Sequence, residues 1–323
     1  MIRALAITGP TASGKTALSV AVAKRLGAEI ISCDSMQIYR DMNVGTAKAD
    51  ENEQDGVPHH LLDVISPSED FSVENYRTLA LTAAEGIESR GALPIFVGGT
   101  GLYVDSLLRA PQSSAPESSR EYRDRILEGI KTEADVDALW QRLYSVDPES
   151  AEAIHKNNIK RVIRALEIYD TCGKTKSELD RESRLAASDI SIGMITLDFH
   201  DRETLYNRVN ARVDIMMNDG LVDEVRSLYE GGRLLKGSTA AQAIGYKEII
   251  AYLDGEVSLS EAVETIKLNT RRYAKRQLTW FRHNEAVRLY MDDERGEMRK
   301  FSDVVDEASE AALKLINELK EKA

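Results

Sequence analysis

The chain is poor in cysteine, proline and aromatic residues, and it has no long apolar run. Two cysteines in 323 residues, Cys33 and Cys172, lie far apart without metal-ligand spacing. That excludes a disulfide framework and a cysteine-rich metal module, and a reducing cytoplasm is the expected setting. No uninterrupted apolar segment reaches bilayer-spanning length, and Met1 leads into a strand pattern, so neither a membrane span nor a signal peptide is expected. Apolar residues make up 42% and charged residues 30%, which suits a soluble globular protein of one large domain and one smaller. The formal net charge of −12 argues against a non-specific coat on nucleic acid. A more local absence points the other way. Ala153 to Leu166 and Thr265 to Asn284 contain no acidic residue in this acid-rich chain.

What is present begins at the N-terminus. Gly9-Pro10-Thr11-Ala12-Ser13-Gly14-Lys15-Thr16 fits G-x-x-x-x-G-K-[ST] at every fixed position. An apolar, β-branched run (Ile2 to Thr8) precedes it and a helical pattern (Ala17 to Leu26) follows, which is the setting a phosphate-binding loop requires. Consecutive backbone N–H groups and a helix N-terminus converge there on one anion, Lys15 adds a cation, and the Thr16 hydroxyl is a candidate Mg²⁺ ligand. The fold class expected is α/β, a P-loop NTPase-like parallel sheet flanked by helices.

Further strands are expected at Glu29 to Ser32, Leu93 to Val97, Ile190 to Phe199 and Val287 to Met291. The second delivers Asp34 to the ligand edge of the sheet, where it suits a general base, a metal-shell ligand or a simple N-cap. The third ends in Gly98-Gly99-Thr100-Gly101, and Thr100 is expected to bond Asp34 or a phosphate. His59-His60 reads as a turn pair rather than a metal site. Met194 to Asp198 is a loose apolar-run-then-Asp pattern, too weak to assign a metal.

Pro111 to Ser119 has linker composition. Residues from Arg120 to about Arg184 carry only helical periodicity, so a helical insertion (116–189) is expected to divide the core into 1–115 and 190–323. Within it Lys160, Arg161 and Arg164 share one helix face, with Val162, Ile163, Leu166 and Tyr169 opposite. Arg208 and Arg212, four apart on a helix, suit either a phosphate grip or ion pairs with acids such as Glu203. A long helix is expected from Ser260 to Phe281, capped by Ser260. It carries Lys267, Arg271, Arg272, Lys275, Arg276 and Arg282 interleaved with Tyr273 and Trp280, a pattern that suits RNA phosphates and stacked bases. An inward-packed aromatic face accounts equally well for the two rings.

Taken in order, G-P-T-A-S-G-K-T (9–16), D-S-M-Q-I-Y (34–39), V-G-T-A-K (44–48), P-H-H-L-L-D (58–63), V-G-G-T-G-L-Y (97–103), K-R-V-I-R-A-L-E (160–167), A-I-G-Y-K-E (243–248) and R-R-Y-A-K-R-Q-L-T-W-F-R (271–282) make the chain resemble the tRNA dimethylallyltransferases (tRNA isopentenyltransferases) over almost its full length. The resemblance implies transfer of a dimethylallyl group from its diphosphate to N6 of the adenosine 3′-adjacent to certain anticodons, with Mg²⁺. It implies that the P-loop, Gly9 to Thr16, holds a prenyl diphosphate and not ATP. It also implies Asp34 as general base, Thr100 as a catalytic partner and Arg208 on the diphosphate. Its tRNA contacts fall on Asp34, Ser35, Met36, Gln37, Thr100, Arg123, Lys160 to Arg164, and Ala241 to Lys247, including Gly245 and Tyr246. Arg272, Lys275 and Arg276 join that set from the basic helix. A cytoplasmic monomer with tRNA and dimethylallyl diphosphate as partners is expected. The rivals are a small-molecule kinase, which shares the P-loop, and a nucleotide-switched RNA-binding protein, which would favour an N-K-x-D motif that is absent.

Overall fold

Ile2 to Thr8 has no polar face to offer solvent, and it takes a central place in the sheet. A computed structural model describes residues 1–110, 119–186 and 188–321. Ile2–Thr8 is strand β1, Lys15–Leu26 helix α1 and Ala28–Ser32 strand β2. Then come Glu51–Gln54 (α2), His59–His60 (β3), Val73–Ser89 (α3), Leu93–Gly98 (β4) and Gly101–Leu108 (α4). Arg120–Glu128, Glu133–Val146, Pro148–Ala153, Ile159–Cys172 and Lys176–Leu185 are helices α5 to α9. The chain continues with Ile190–Asp198 (β5), Arg202–Asn218 (α10), Leu221–Glu230 (α11), a 3-10 turn at Ala240–Gln242, Tyr246–Leu253 (α12), Leu259–Phe281 (α13), Val287–Tyr290 (β6) and Phe301–Glu321 (α14).

The six strands are all parallel, in the order β3-β2-β4-β1-β5-β6. Alternate residues of β1 go to opposite faces, as the pleat demands. Leu5 and Ile7 pack in one cluster with Leu18 and Val22 of α1 and Val304, Ala308 and Ala312 of α14. Ala4 and Ala6 belong to the other, with Tyr76, Ala80 and Ala84 of α3 and Val104 and Leu107 of α4. Covered on both faces, the parallel strands can be apolar throughout. Their C-terminal ends all meet one edge, which is where such sheets bind ligands. Thr8 pairs with Gly98 of β4 and Thr196 of β5, so the loops after these strands start side by side. A third cluster joins Ile38, Tyr39 and Met42 to α11, α12 and the start of α13.

The chain divides into two units, residues 1–108 with 189–323, and residues 109–188. The first boundary falls earlier than the expected 115/116 because Ala110 is bound through its N–H and its carbonyl to Ser183. Most of the linker composition, Pro111 to Glu117 with Ser118, lies outside the described residues. Ser119 itself caps α5. The smaller unit has its own core of Leu143, Ala151, Ile154, Val162, Ala165 and Leu166.

Three local expectations are corrected. His59 and His60 form the edge strand β3 rather than a turn, with Ile30 and Ile31 opposite them, and the His60 ring meets the Glu29 carboxylate at 2.7 Å. Two residues after Pro58 carry too little pattern to reveal a strand. The long helix is capped by Ser258, not Ser260: Ser258 and Glu261 satisfy the reciprocal capping box. Tyr169 is exposed, one step off the buried stripe of α8.

Candidate active site

A turn with consecutive inward N–H groups needs backbone conformations that side chains resist. Gly14 sits at φ +88°, which a glycine adopts freely, and Ala12 is held at φ 62°. Lys15 opens α1 and bonds back to the Pro10 carbonyl at 2.6 Å. Arg208, reaching over from α10, donates from Nε to the Ala12 carbonyl at 2.9 Å. Gly9, Pro10, Thr11, Ser13 and Thr16 complete the loop expected from the sequence.

The cradle is more cationic than its neutral polar partners can balance. Burial, with the Arg212 charge adding to it, lowers the Lys15 pKa to about 7 against the opposing pull of Asp34. Burial also lowers the Arg212 pKa, opposed by Asp34 and Glu53 and assisted by Arg208. Nε of Arg212 and the hydroxyl of Ser13 are buried without a hydrogen-bond partner among the described residues. Buried orphans of this kind are rare. An anion seated beside Lys15 would restore the lysine charge. Among the described residues neither arginine forms an ion pair with Glu203.

Asp34 follows β2, and its Oδ1 accepts from the backbone N–H groups of Met36 (2.8 Å) and Gln37 (3.4 Å). One carboxylate oxygen thus shapes the turn, while Oδ2 takes no hydrogen bond among the described residues. Of the two partners expected for Thr100, Asp34 is not bonded to it among the described residues. The Thr100 hydroxyl accepts from the Ser35 N–H at 3.1 Å and donates to the Ser35 hydroxyl at 3.3 Å. Gln37 accepts from Ser32 and donates to the carbonyls of Thr46 and Ala47. Cys33, beside Asp34, is buried and hydrogen-bonded to Tyr76, and burial pushes its thiol up to about 12, which removes it as a nucleophile.

Glu224, which the sequence reading passed over, holds the next loop. Its carboxylate accepts from three consecutive N–H groups, Asn43, Val44 and Gly45, and from the Tyr246 hydroxyl at 2.6 Å. Tyr246 is fully buried and Ala241, Ala243 and Gly245 are buried too, while Gln242 is exposed and Ile244 and Lys247 are half-exposed. Any contribution of the buried residues to a contact is therefore through loop shape.

The long basic helix sorts its residues. Arg272, Lys275, Arg276 and Arg282 are exposed and have no acidic partner among the described residues. Lys267 is paired with Asp214 at 2.7 Å and Arg271 bonds Asn210. The two aromatics turn inward rather than standing as platforms. Trp280 packs over Gly101 and donates towards Asp105 at 3.4 Å. The Tyr273 hydroxyl lies close to Thr100 and Gln277, and burial with the Asp34 charge raises its pKa to about 12. Asp198 is engaged by Arg288 at 3.2 Å and by the Phe199 N–H.

In the smaller unit, Lys160 and Arg161 are exposed, while Arg164 pairs with Glu167 at 2.7 Å and Lys156 with Asp137 at 2.6 Å. The acid-free stretch is thus partly neutralised by acids outside it. Arg123 is half-buried on α5.

Comparison with known proteins supplies the remaining finding. The family model described as IPP transferase matches residues 37–284, and that of isopentenyl transferase residues 2–68. The tRNA dimethylallyltransferase of Geobacillus thermodenitrificans (strain NG80-2) is 50% identical over 286 residues, 88% of this chain and 89% of that protein. That of Thermoanaerobacter sp. (strain X514) is 47% identical over 294 residues, 91% and 93% respectively. Among solved structures, the full-length tRNA isopentenylpyrophosphate transferase from Bacillus halodurans matches with a TM-score of 0.71 at 42% identity, covering 99% of both chains. A eukaryotic dimethylallyltransferase acting on tRNA matches with a TM-score of 0.75 at 32% identity, covering 90% of this chain and 74% of the other.

Proposed function

The chain belongs to the IPP transferase family, and on that footing we propose that this prenyl transferase acting on tRNA moves a dimethylallyl group from dimethylallyl diphosphate to N6 of the adenosine 3′-adjacent to the anticodon. The observation that carries the reading is the joint placement, on one edge of the sheet, of an anion cradle with orphaned buried donors and a carboxylate with one free oxygen.

In this reading the diphosphate oxygens take the loop N–H groups, Ser13, Lys15, Arg208 and Arg212. An adenine amine is a weak nucleophile because its lone pair is delocalised into the ring. As N6 bonds to the allylic carbon, the carbon–oxygen bond breaks, its electron pair leaves with the diphosphate, and Oδ2 of Asp34 accepts the amine proton. Donors already aimed at the leaving group stabilise the charge developing there. Ser35 and Thr100, locked to one another, border the acceptor side. The base leaves its stack to reach this edge. Arg272, Lys275 and Arg276 on one unit, with Lys160 and Arg161 on the other, supply phosphate contacts to the tRNA.

The donor set fits a substrate-borne Mg²⁺. Thr16 would offer a hard oxygen ligand, and among the described residues no cluster of three or more His, Cys, Asp or Glu could hold an ion unaided. Diphosphate oxygens and water would complete the shell. Bound there, the ion would neutralise charge on the diphosphate.

The test is incubation with total tRNA and either prenyl-labelled dimethylallyl diphosphate or γ-labelled ATP. Prenyl label entering tRNA is expected. Label passing from ATP to a small metabolite, with none entering tRNA from the prenyl donor, would overturn the reading in favour of a kinase.

A further inference from the structure

We infer that Gln277 is a positioning residue that holds the diphosphate cradle and the acceptor-side loop at a fixed spacing, an inference that rests on the functional reading above. The side chain is buried on α13, the same helix that exposes Arg272, Lys275 and Arg276. Its Oε1 accepts from the Thr11 N–H at 2.8 Å, and its Nε2 donates to the Gly99 carbonyl at 2.9 Å. One partner is an obligate donor and the other an obligate acceptor, so the amide has only one satisfying orientation. No carboxylate, thioether or aliphatic group can serve both.

The two loops so joined have separate duties. Thr11 lies in the phosphate-binding turn after β1. Gly99 follows β4 and precedes Thr100, whose hydroxyl locks Ser35 beside Asp34. The approach to Gly99 is close: a Cβ there would lie 2.1 Å from Nε2 of Gln277 and 3.1 Å from the Gly9 carbonyl oxygen. The glycine therefore admits the amide between the loops. The Thr11 N–H, turned to Gln277, is withdrawn from the set that faces phosphate. The side chain is buried and its amide is committed to the two loops. It acts through the distance it sets between the allylic carbon and the acceptor amine, and reaction rates are steep in such distances, with a misplacement of about 1 Å able to lose ~10²-fold.

The test compares the full chain with Q277M, which keeps length and apolar stem but loses both bonds. Single-turnover transfer is measured with tRNA and donor both saturating, alongside Kd for tRNA and for inorganic diphosphate. The expected result is a fall in the single-turnover rate of about 10- to 100-fold, with each Kd within about threefold of the parent. Q277E, equal in volume, keeps acceptance from Thr11 but sets an acceptor against the Gly99 carbonyl, so its rate should fall at least as far; it carries the test if Q277M does not fold. A variant rate at saturation within twofold of the parent, with or without weakened binding, overturns the inference and leaves the functional reading intact. A parent chain without prenyl transfer overturns both.

Discussion

Proton uptake by Lys15 is the most direct physical consequence of the cradle. In the ligand-free protein its pKa lies near 7 because burial and the neighbouring Arg212 disfavour the ammonium. A diphosphate reverses both effects by placing negative charge beside it, so anion binding must draw in a proton wherever the free lysine is neutral. With a free pKa of about 7 and a bound pKa well above the assay range, uptake per bound diphosphate should be ~0.1 proton at pH 6, ~0.5 at pH 7 and ~0.9 at pH 8. Above pH 7 the affinity should fall towards tenfold per pH unit, since one unit corresponds to about 1.4 kcal/mol. The assay is titration calorimetry with inorganic diphosphate, in buffers of differing ionisation enthalpy. The heat is plotted against that enthalpy, with the ligand's own titration subtracted. K15M should bind more weakly and lose the uptake. Tight binding at pH 8 with no proton exchange would refute the argument. Stability of the ligand-free fold runs opposite to affinity. A folded-state pKa below the ordinary lysine value means that the unfolded chain binds more protons between about pH 7 and 10.5, so Lys15 makes the ligand-free fold more stable as pH rises through that window.

Other consequences are simpler to state. Asp34→Asn should retain inorganic diphosphate binding but slow transfer by about 10²- to 10⁴-fold, the usual worth of a general base; near-normal turnover at saturation would remove that role. Replacing Arg272, Lys275 and Arg276 together by alanine should reduce the salt dependence of tRNA binding by a slope of about 2 in log–log terms, at ~0.7 per contact, leaving diphosphate affinity unchanged. Glu224→Gln turns an amide donor towards backbone N–H groups, and urea unfolding should show a loss of about 1–3 kcal/mol, with a smaller loss for Tyr246→Phe. Ser258→Ala removes a capping box and should lower stability by about 1 kcal/mol without altering transfer kinetics.

The strand, turn and helix around Gly9 to Thr16 were legible because each feature is local: a strand without a polar face, a run of backbone-permissive residues, and a lysine at the first turn of a helix. The other long strands were legible for the same reason, and with them the edge to which Asp34 is delivered. β3 was not, since two residues cannot show a period. Glu224 was invisible for another reason. Its partners at Asn43 to Gly45 are backbone groups, which leave no mark on residue type. Gln277 stood inside a motif that was noticed for its cations, and its bonds reach Thr11 and Gly99, far away along the chain.

The order of residues by itself determined the long strands, the glycine turn after β1 and the helical character of the insertion, because periodicity and backbone preference act between near neighbours in the chain. Only the folded chain decided which cations stay unpaired and which rings face inward. Glu167 and Asp137 neutralise part of a stretch that contains no acid, Asp214 takes Lys267, and Tyr273 points to Thr100 rather than to solvent. Charge pairing, desolvation and burial depend on distance in space, and folding brings together groups that the sequence keeps far apart.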